Sequence, residues 1–269
     1  MKRYLILAMA VLAMSACQPK QHKLVILHVN DTHSHFEPVR SGDEAGWGGV
    51  IERAAYIDSV RAAEGEENVL LLHAGDFNQG SSYFTQLGGD LEVATINAFR
   101  YDAVTIGNHE FDNGIEDLAR RLKVLQCPVI CANYDFSPFE LGEIIRPYVI
   151  LEKAGRKIGI IGMLTDITKV VDRNIADRLP KFDDVETAQK WADFLRNDAG
   201  CDLVIVLSHL GYGEDRDFVE QTRNIDLIVG GHSHTFLEQM EYADNLDGVQ
   251  IPIVQDGCWG LYMGRLEVQ

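Results

Sequence analysis

Seven polar residues of the types that bind divalent cations follow short apolar runs in this chain. They are the aspartate, asparagine and histidine side chains at Asp31, His33, Asp76, Asn108, His209, His232 and His234. Carboxylate oxygens, amide oxygens and imidazole nitrogens suit hard-to-borderline divalent ions such as Zn²⁺, Mn²⁺ or Co²⁺. A cluster of this composition could bind such ions and activate water for hydrolysis.

The spacing within the motifs favours joint binding. In Asp31-Thr32-His33 and in His232-Ser233-His234, one residue separates two candidate ligands. Because alternate residues of an extended chain face the same way, both side chains of each pair are expected on one side. Glycines precede Asp76, Asn108 and His232, and they let the backbone turn sharply and approach an ion.

Each signal taken alone has an ordinary structural explanation. An Asp-x-His pair occurs by chance, Gly-Asp after a strand is often a turn, and Gly-Gly-His can be a loop with a hydrogen-bonded histidine. The clusters all follow strand candidates, however, which makes coincidence a poor explanation. His28 and His73 lie inside apolar runs and are expected in the core, whereas the role of His35 is ambiguous.

Strand candidates and helix candidates alternate along the chain and would position these residues. This alternation predicts a layered α/β fold in one domain. Most strand candidates are continuous apolar runs, as expected for strands buried on both faces. They are residues 24–30, 69–73, 103–106, 129–132, 158–163, 203–207, 227–229, 251–255 and 263–268. The helix candidates are residues 50–60, 91–99, 115–125 and 184–196.

The first residues of the chain are predicted to be a secretory signal outside the fold. Met1-Lys2-Arg3 is a basic start, and the apolar run from Tyr4 to Ala13 is too short to span a bilayer as a helix. The run ends in Met14-Ser15-Ala16-Cys17, which resembles the lipobox of bacterial lipoproteins. We therefore expect lipidation of Cys17, and ordinary cleavage that leaves a free thiol there is the alternative.

Processing at this site would give the chain three parts. They are a lipoprotein signal peptide at 1–16, a lipidated tether at 17–23 and a catalytic domain at 24–269. The lipid would hold the domain at a membrane of the bacterial cell envelope, facing the periplasm or on the outer membrane. Loss of Lys2 and Arg3 with the signal lowers the net charge from −17 to −19, which disfavours nucleic acid polymers as partners or substrates.

Together these motifs resemble a known family. The Asp31 motif, Gly75-Asp76, the run from Tyr101 to Asp112 and the run from Gly230 to His234 are similar to the calcineurin-like metallophosphoesterases. The resemblance is to the secreted 5′-nucleotidase branch, and to its N-terminal catalytic domain only. It implies a four-layer α-β-β-α sandwich with two mixed sheets and the metals at the carboxyl ends of the strands.

The resemblance also implies a role for each motif residue. Asp31, His33 and His234 would bind a first divalent ion. Asn108, His209 and His232 would bind a second, and Asp76 would bridge the two. His109 and Asp112 would form a catalytic dyad, with His109 facing the phosphate. The alternative for Asp112 is a cap on the helix that follows Gly114.

The implied activity is two-metal hydrolysis of phosphate monoesters, with nucleoside 5′-monophosphates as the substrate class, by in-line attack of a metal-bound hydroxide. The alternative is a phosphodiesterase acting on cyclic nucleotides or nucleotide sugars, and a third hypothesis is a non-catalytic anchored binding protein. Secreted nucleotidases also carry a second, nucleobase-binding domain, whereas this sequence stops at Gln269. A lone catalytic domain, a split enzyme completed by a separate substrate-binding protein, and a fragment of a longer chain all stay open.

Overall fold

The computed structural model describes residues 22–269, so the predicted signal peptide, the lipidation site and most of the tether lie outside the described residues. Its strands are β1 (Leu24–Val29), β2 (Val69–His73), β3 (Ala103–Thr105), β4 (Val129–Ile130), β5 (Tyr148–Lys153), β6 (Arg156–Leu164), β7 (Leu203–His209), β8 (Leu227–Val229), β9 (Glu241–Asp244), β10 (Gln250–Val254) and β11 (Gly264–Val268). Its helices are α1 (Val50–Glu64), α2 (Ser82–Leu87), α3 (Asp90–Phe99), α4 (Ile115–Leu122), α5 (Leu141–Ile144), α6 (Arg173–Ala176), α7 (Asp184–Asp193) and α8 (Tyr212–Val219).

The strands form two mixed sheets. The first has the order β11-β1-β2-β3-β4, in which only β11 runs antiparallel to its neighbour. The second has the order β5-β6-β7-β8-β10-β9, with a parallel centre and an antiparallel strand at each edge. Because β1, β2, β3, β7 and β8 pair in parallel within their sheets, each sheet presents several carboxyl ends on one side.

Apolar side chains fill three interfaces between four layers. Ile26 and Leu70 of the first sheet pack in one cluster with Ile160 and Leu207 of the second sheet. The outer faces of the two sheets are covered by helices, with α1, α3 and α4 on the first sheet and α7 and α8 on the second. Strands covered on both faces need apolar residues at every position, which explains their unbroken apolar runs. The predicted α-β-β-α sandwich is confirmed.

The structure adds elements that the sequence did not predict. The edge strands β5 and β9 were missed because their side chains are mostly half-buried or exposed and include several charged residues. The helices α2, α5, α6 and α8 have four to eight residues each, too few to show a clear helical period. The helix predicted at 184–196 ends as α7 at Asp193 and continues as a wider π turn from Phe194 to Asp198.

The amino end of β1 lies at the opposite end of the sandwich from the clustered polar motifs. There the backbone N–H of His22 donates to the carbonyl oxygen of Ala154, in the turn between β5 and β6, at 2.9 Å. The carboxyl end of β1 leads directly into Asn30 and Asp31. Among the helices of residues 22–269, none combines the length and the apolar character needed to cross a bilayer.

Candidate metal centre

The predicted ligands converge where the carboxyl ends of the strands of both sheets meet. Asp31, His33 and His234 form one group whose ligand atoms all lie within 4.8 Å of one another. Asp76, His209 and His232 form a second group that satisfies the same distance. Residues far apart in the sequence therefore build two adjacent clusters, each with one carboxylate and two imidazoles.

Asp76 stands between the two groups. Its Oδ2 lies 3.1 Å from Nε2 of His209 in the second group and 4.0 Å from Nε2 of His33 in the first group. Its Oδ1 accepts a hydrogen bond from the backbone N–H of His109 at 2.8 Å. A carboxylate in this position can contact ions in both groups at once.

Unpaired polar atoms indicate what the centre binds. Asp31 Oδ1, Asn108 Oδ1 and His209 Nε2 are buried without a hydrogen-bond partner among the described residues. A buried polar atom left unpaired costs about 1–3 kcal/mol. Nε2 of His33 also lies 2.9 Å from Nε2 of His234, although two imidazole nitrogens at this distance need a shared proton or cation. The donor set therefore fits divalent cations in both groups.

The backbone at the ligands is left-handed, which corrects the expectation of extended Asp-x-His and His-x-His pairs. The φ angles are positive at five ligands, namely Asp31 (49°), His33 (46°), Asp76 (52°), His232 (72°) and His234 (54°). Each non-glycine residue in this region costs on the order of 1–3 kcal/mol, and such residues cluster at functional sites. The paired side chains therefore converge through sharp turns beyond the strand ends, not through the alternation of a strand.

Backbone carbonyl groups fix the orientation of two ligand rings. Nδ1 of His33 donates to the carbonyl oxygen of Asn78 at 3.1 Å, and Nδ1 of His209 donates to that of Ala74 at 2.7 Å. Because a carbonyl oxygen only accepts, both rings carry their proton on Nδ1. The other nitrogen, Nε2, is then available to a cation, as is usual for histidine ligands.

The charges of the centre concentrate protons on the rings nearest the carboxylates. Burial alone would lower the pKa of His209, but the Asp76 carboxylate raises it to about 10. The Asp31 carboxylate, whose Oδ1 lies 3.5 Å from Nε2 of His234, and then the Cys258 side chain raise the pKa of His234 to about 10. Burial lowers the pKa of His33, which keeps that ring neutral. The same carboxylates that attract these protons would attract a divalent cation.

Two supporting residues were missed from the sequence. Nδ2 of Asn30 donates to Asp31 Oδ2 and to the carbonyl oxygen of Gly257, both at 2.6 Å. The backbone N–H of His232 adds a second bond to the same Asp31 oxygen, at 2.9 Å. These bonds occupy Oδ2 and leave Oδ1 facing the cluster. The second missed residue is Glu110. Its burial, and then the charge of Asp76, raise its pKa to about 7.

The predicted dyad lies beside the two groups. Nδ1 of His109 is 3.0 Å from Asp112 Oδ2, and about a third of each side chain is exposed. The hydrogen bond to Asp112 raises the pKa of His109. The His109 ring centre is 5.3 Å from that of His33. The alternative role of Asp112 as a helix cap is wrong, because Gly114 occupies the cap position of α4.

The remaining histidines have structural surroundings. His28 and His73 are buried as predicted, and His28 lies 2.6 Å from the carboxylate of Asp256. The ambiguous residue, His35, donates from Nδ1 to the carbonyl oxygen of His33 at 2.8 Å and stacks on Trp259 with ring centres 5.0 Å apart. His35 thus supports the loop of a candidate ligand without joining either group.

A comparison with protein families decides which kind of centre this is. The model of the calcineurin-like phosphoesterase family matches residues 24–236. The chain belongs to this family. The match places the chain among the metal-dependent phosphoesterases, and its two groups of candidate ligands fit the two divalent ions of such a centre.

Individual relatives of this phosphoesterase agree with the resemblance to nucleotidases. The snake venom 5′-nucleotidase of Naja atra is 38% identical over 91% of this chain and 50% of its own length. The crystal structure of a 5′-nucleotidase precursor from Thermus thermophilus has a TM-score of 0.85 at 37% identity, covering 92% of this chain and 51% of that one. The NAD nucleotidase of Haemophilus influenzae has a TM-score of 0.83 at 31% identity, covering 93% and 53%. The chain thus spans about half the length of the relatives it matches.

Proposed function

We propose that this phosphoesterase hydrolyses phosphate monoesters and that nucleoside 5′-monophosphates are its main substrates. The observation that carries the proposal is the pair of ligand groups joined by Asp76, with His109 and Asp112 beside them. The names of the relatives support nucleotides as the substrate class. Those relatives are about twice as long, so the substrate of this chain needs its own measurement.

The proposed assignment of ligands follows the two groups. Asp31, His33 and His234 hold the first ion, Asn108, His209 and His232 hold the second, and Asp76 bridges them. When bound, the two ions activate a water molecule and neutralise charge on the phosphoryl oxygens. Asn108 contributes a neutral amide oxygen, so its site carries less negative charge than a carboxylate would give. That site therefore suits an anionic phosphate.

The dyad acts on the phosphate through its own protons. Asp112 accepts from Nδ1 of His109, which orients the ring and favours its protonated form. Nε2 of His109 then donates to a phosphoryl oxygen on which negative charge increases in the transition state. A protein that only bound metals for stability would not need this partly exposed pair, which argues against the non-catalytic hypothesis.

Phosphodiester hydrolysis, on cyclic nucleotides or nucleotide sugars, is the second candidate. The same two ligand groups can serve mono- and diesters. The side chain of His234 is 41% exposed, so the first group is open to solvent on one side and could accept a substrate with two ester arms. We place monoesters first because the relatives named above are nucleotidases.

A substrate panel tests the proposed function. Protein lacking residues 1–20 and loaded with Mn²⁺ or Zn²⁺ would be assayed for product release from AMP, 2′,3′-cyclic AMP, UDP-glucose and bis(p-nitrophenyl) phosphate. We expect AMP to be hydrolysed fastest, and chelator-treated protein provides the control. Faster turnover of the diesters would select the second candidate, and no turnover of any substrate would refute both. Weak, unselective turnover would indicate that a separate substrate-binding protein supplies nucleobase recognition.

We further propose that the mature chain begins at Cys17, carries a lipid there and resides in the bacterial cell envelope. The support is the sequence of the signal at 1–16 and the polar tether at 17–23. Cys17→Ser should move the protein from the membrane fraction to the soluble fraction of expressing cells, measured by immunoblot. Cys127→Ser is the matched control, because Cys127 is a free cysteine within the domain, and this variant should stay with the membranes. Unchanged fractionation of Cys17→Ser would contradict lipidation.

A further inference from the structure

The carboxylate of Glu110 accepts four hydrogen bonds from the backbone. Its Oε2 accepts from the N–H groups of Asp76 at 2.9 Å and Gly107 at 2.5 Å. Its Oε1 accepts from the N–H groups of Phe77 at 3.0 Å and Asn78 at 3.1 Å. Glu110 is fully buried, so water does not compete for these bonds. Burial favours protonation of Glu110, but all four partners are N–H donors, and they stabilise the ionised carboxylate through bonds stronger than those of neutral pairs.

The four donors belong to two different loops of the centre. Asp76, Phe77 and Asn78 are consecutive residues after β2, and they turn three N–H groups toward one point, as in an anion-binding nest. Gly107 comes directly before the candidate ligand Asn108. The carboxylate of Glu110 therefore joins the loop that carries the bridging Asp76 to the loop that carries Asn108.

Glu110 is itself fixed from the helix side. The buried Arg121 of α4 donates from Nη2 to the backbone carbonyl oxygen of Glu110 at 2.9 Å and from Nε to Asp117 at 2.8 Å. The guanidinium also fills the space at Gly89, where an added Cβ would lie 2.7 Å from Nη1. Glu110 thus connects the two loops that carry candidate ligands to helix α4 through Arg121.

We propose that Glu110 is a positioning residue that sets the distance and orientation between the Asp76 carboxylate and the Asn108–His109 segment. Glu110 contacts neither ion nor substrate, and it acts only through backbone N–H groups. The inference rests on the proposed two-ion function and deepens it, because the bridging oxygen of Asp76 and the ring of His109 must face the same phosphate. Its loss should separate the two ions' ligands while leaving every ligand side chain in the protein.

Glu110→Gln tests the proposal at constant size. A glutamine keeps one acceptor oxygen but replaces the other with an NH₂ group, which then faces two backbone N–H donors in either orientation. We expect affinity for Mn²⁺ to fall by about 10- to 100-fold, as for the loss of outer-shell partners of metal ligands. The spin-coupled two-manganese signal in electron paramagnetic resonance should also weaken. Glu92→Gln is the matched control, because Glu92 is a buried acid whose Oε1 accepts from Ser34 Oγ and which joins no two metal loops; it should bind Mn²⁺ like the wild type.

The outcomes separate this inference from the proposed function. Wild-type affinity and an unchanged coupled signal in folded Glu110→Gln would overturn the positioning role. Metal binding is measured without substrate, so failure of the AMP assay would leave this test intact. If the variant does not fold, hydrogen exchange on the ion-loaded wild type decides. The amides of Asp76, Phe77, Asn78 and Gly107 should then exchange slowly and together, and rapid exchange of the three consecutive amides would overturn the proposal.

Discussion

Asp76→Ala should lower the rate of AMP hydrolysis by roughly 1,000-fold or more. A bridging carboxylate holds ions that stabilise the transition state by several kcal/mol, and about 4 kcal/mol corresponds to that factor. Both groups should lose affinity, because Asp76 Oδ2 lies 3.1 Å from Nε2 of His209 and 4.0 Å from Nε2 of His33. Steady-state kinetics and metal content by mass spectrometry would measure the two effects together.

Asp215→Asn is the matched control for this prediction. Asp215 is fully buried and accepts a hydrogen bond from Ser208 Oγ, but it belongs to neither ligand group. Burial raises the pKa of Asp215 to about 7, and an asparagine removes the charge while keeping an oxygen that can accept from Ser208 Oγ. The control should bind two ions and keep activity within a few-fold of the wild type. Two tightly bound ions in Asp76→Ala would show that Asp76 does not bridge.

His109→Ala should reduce kcat by about 100- to 1,000-fold, the range expected when one donor to a developing oxyanion is removed. The metal content should stay at the wild-type level, because His109 belongs to neither ligand group. Asp112→Ala should reduce kcat by a smaller factor, because the His109 ring remains and loses only its carboxylate partner, which lies 3.0 Å from Nδ1. In the double variant, the loss should match that of His109→Ala alone, because Asp112 acts through His109.

His35→Ala controls for disturbance of a neighbouring imidazole. His35 is half-buried and stacks on Trp259 near the first group, outside the dyad. Its activity should fall much less than that of His109→Ala, because His35→Ala removes one bond to the His33 loop and no group that faces the phosphate. Full activity in His109→Ala, or additive losses in the double variant, would remove the dyad from the proposed mechanism.

Sequence patterns were sufficient to predict a layered α/β fold and to select the residues that converge, whereas the four-layer arrangement came from the family resemblance. Strands buried on both faces leave unbroken apolar runs such as β2 and β7, and a polar residue directly after such a run is easily recognised. The partition of the ligands between two ions came from the family resemblance. The distances within the two groups agree with that partition, as far as carboxylates and imidazoles are concerned.

Sequence patterns could not predict the contacts between residues far apart in the chain. Asn30 contacts Gly257 across 227 positions, and Glu110 reaches the Asp76 loop across 34. No periodicity encodes such pairs. The left-handed backbone at Asp31 or His232 was also unexpected, because only a few per cent of non-glycine residues adopt it and no local sequence signal marks which ones do. The ligand residues were therefore predictable from the sequence, but the contacts that orient their side chains were not.

Strand β1 separates the point where the chain enters the domain from the candidate metal centre. The chain enters β1 beside His22 and Ala154, and Asp31 follows the other end of the strand. Six residues of strand span about 20 Å. If Cys17 carries a lipid as proposed, the attachment lies on the side where the chain enters β1, whereas the two ligand groups lie beyond the far end of that strand. The anchor would then leave the opening of the centre unobstructed for dissolved phosphate esters.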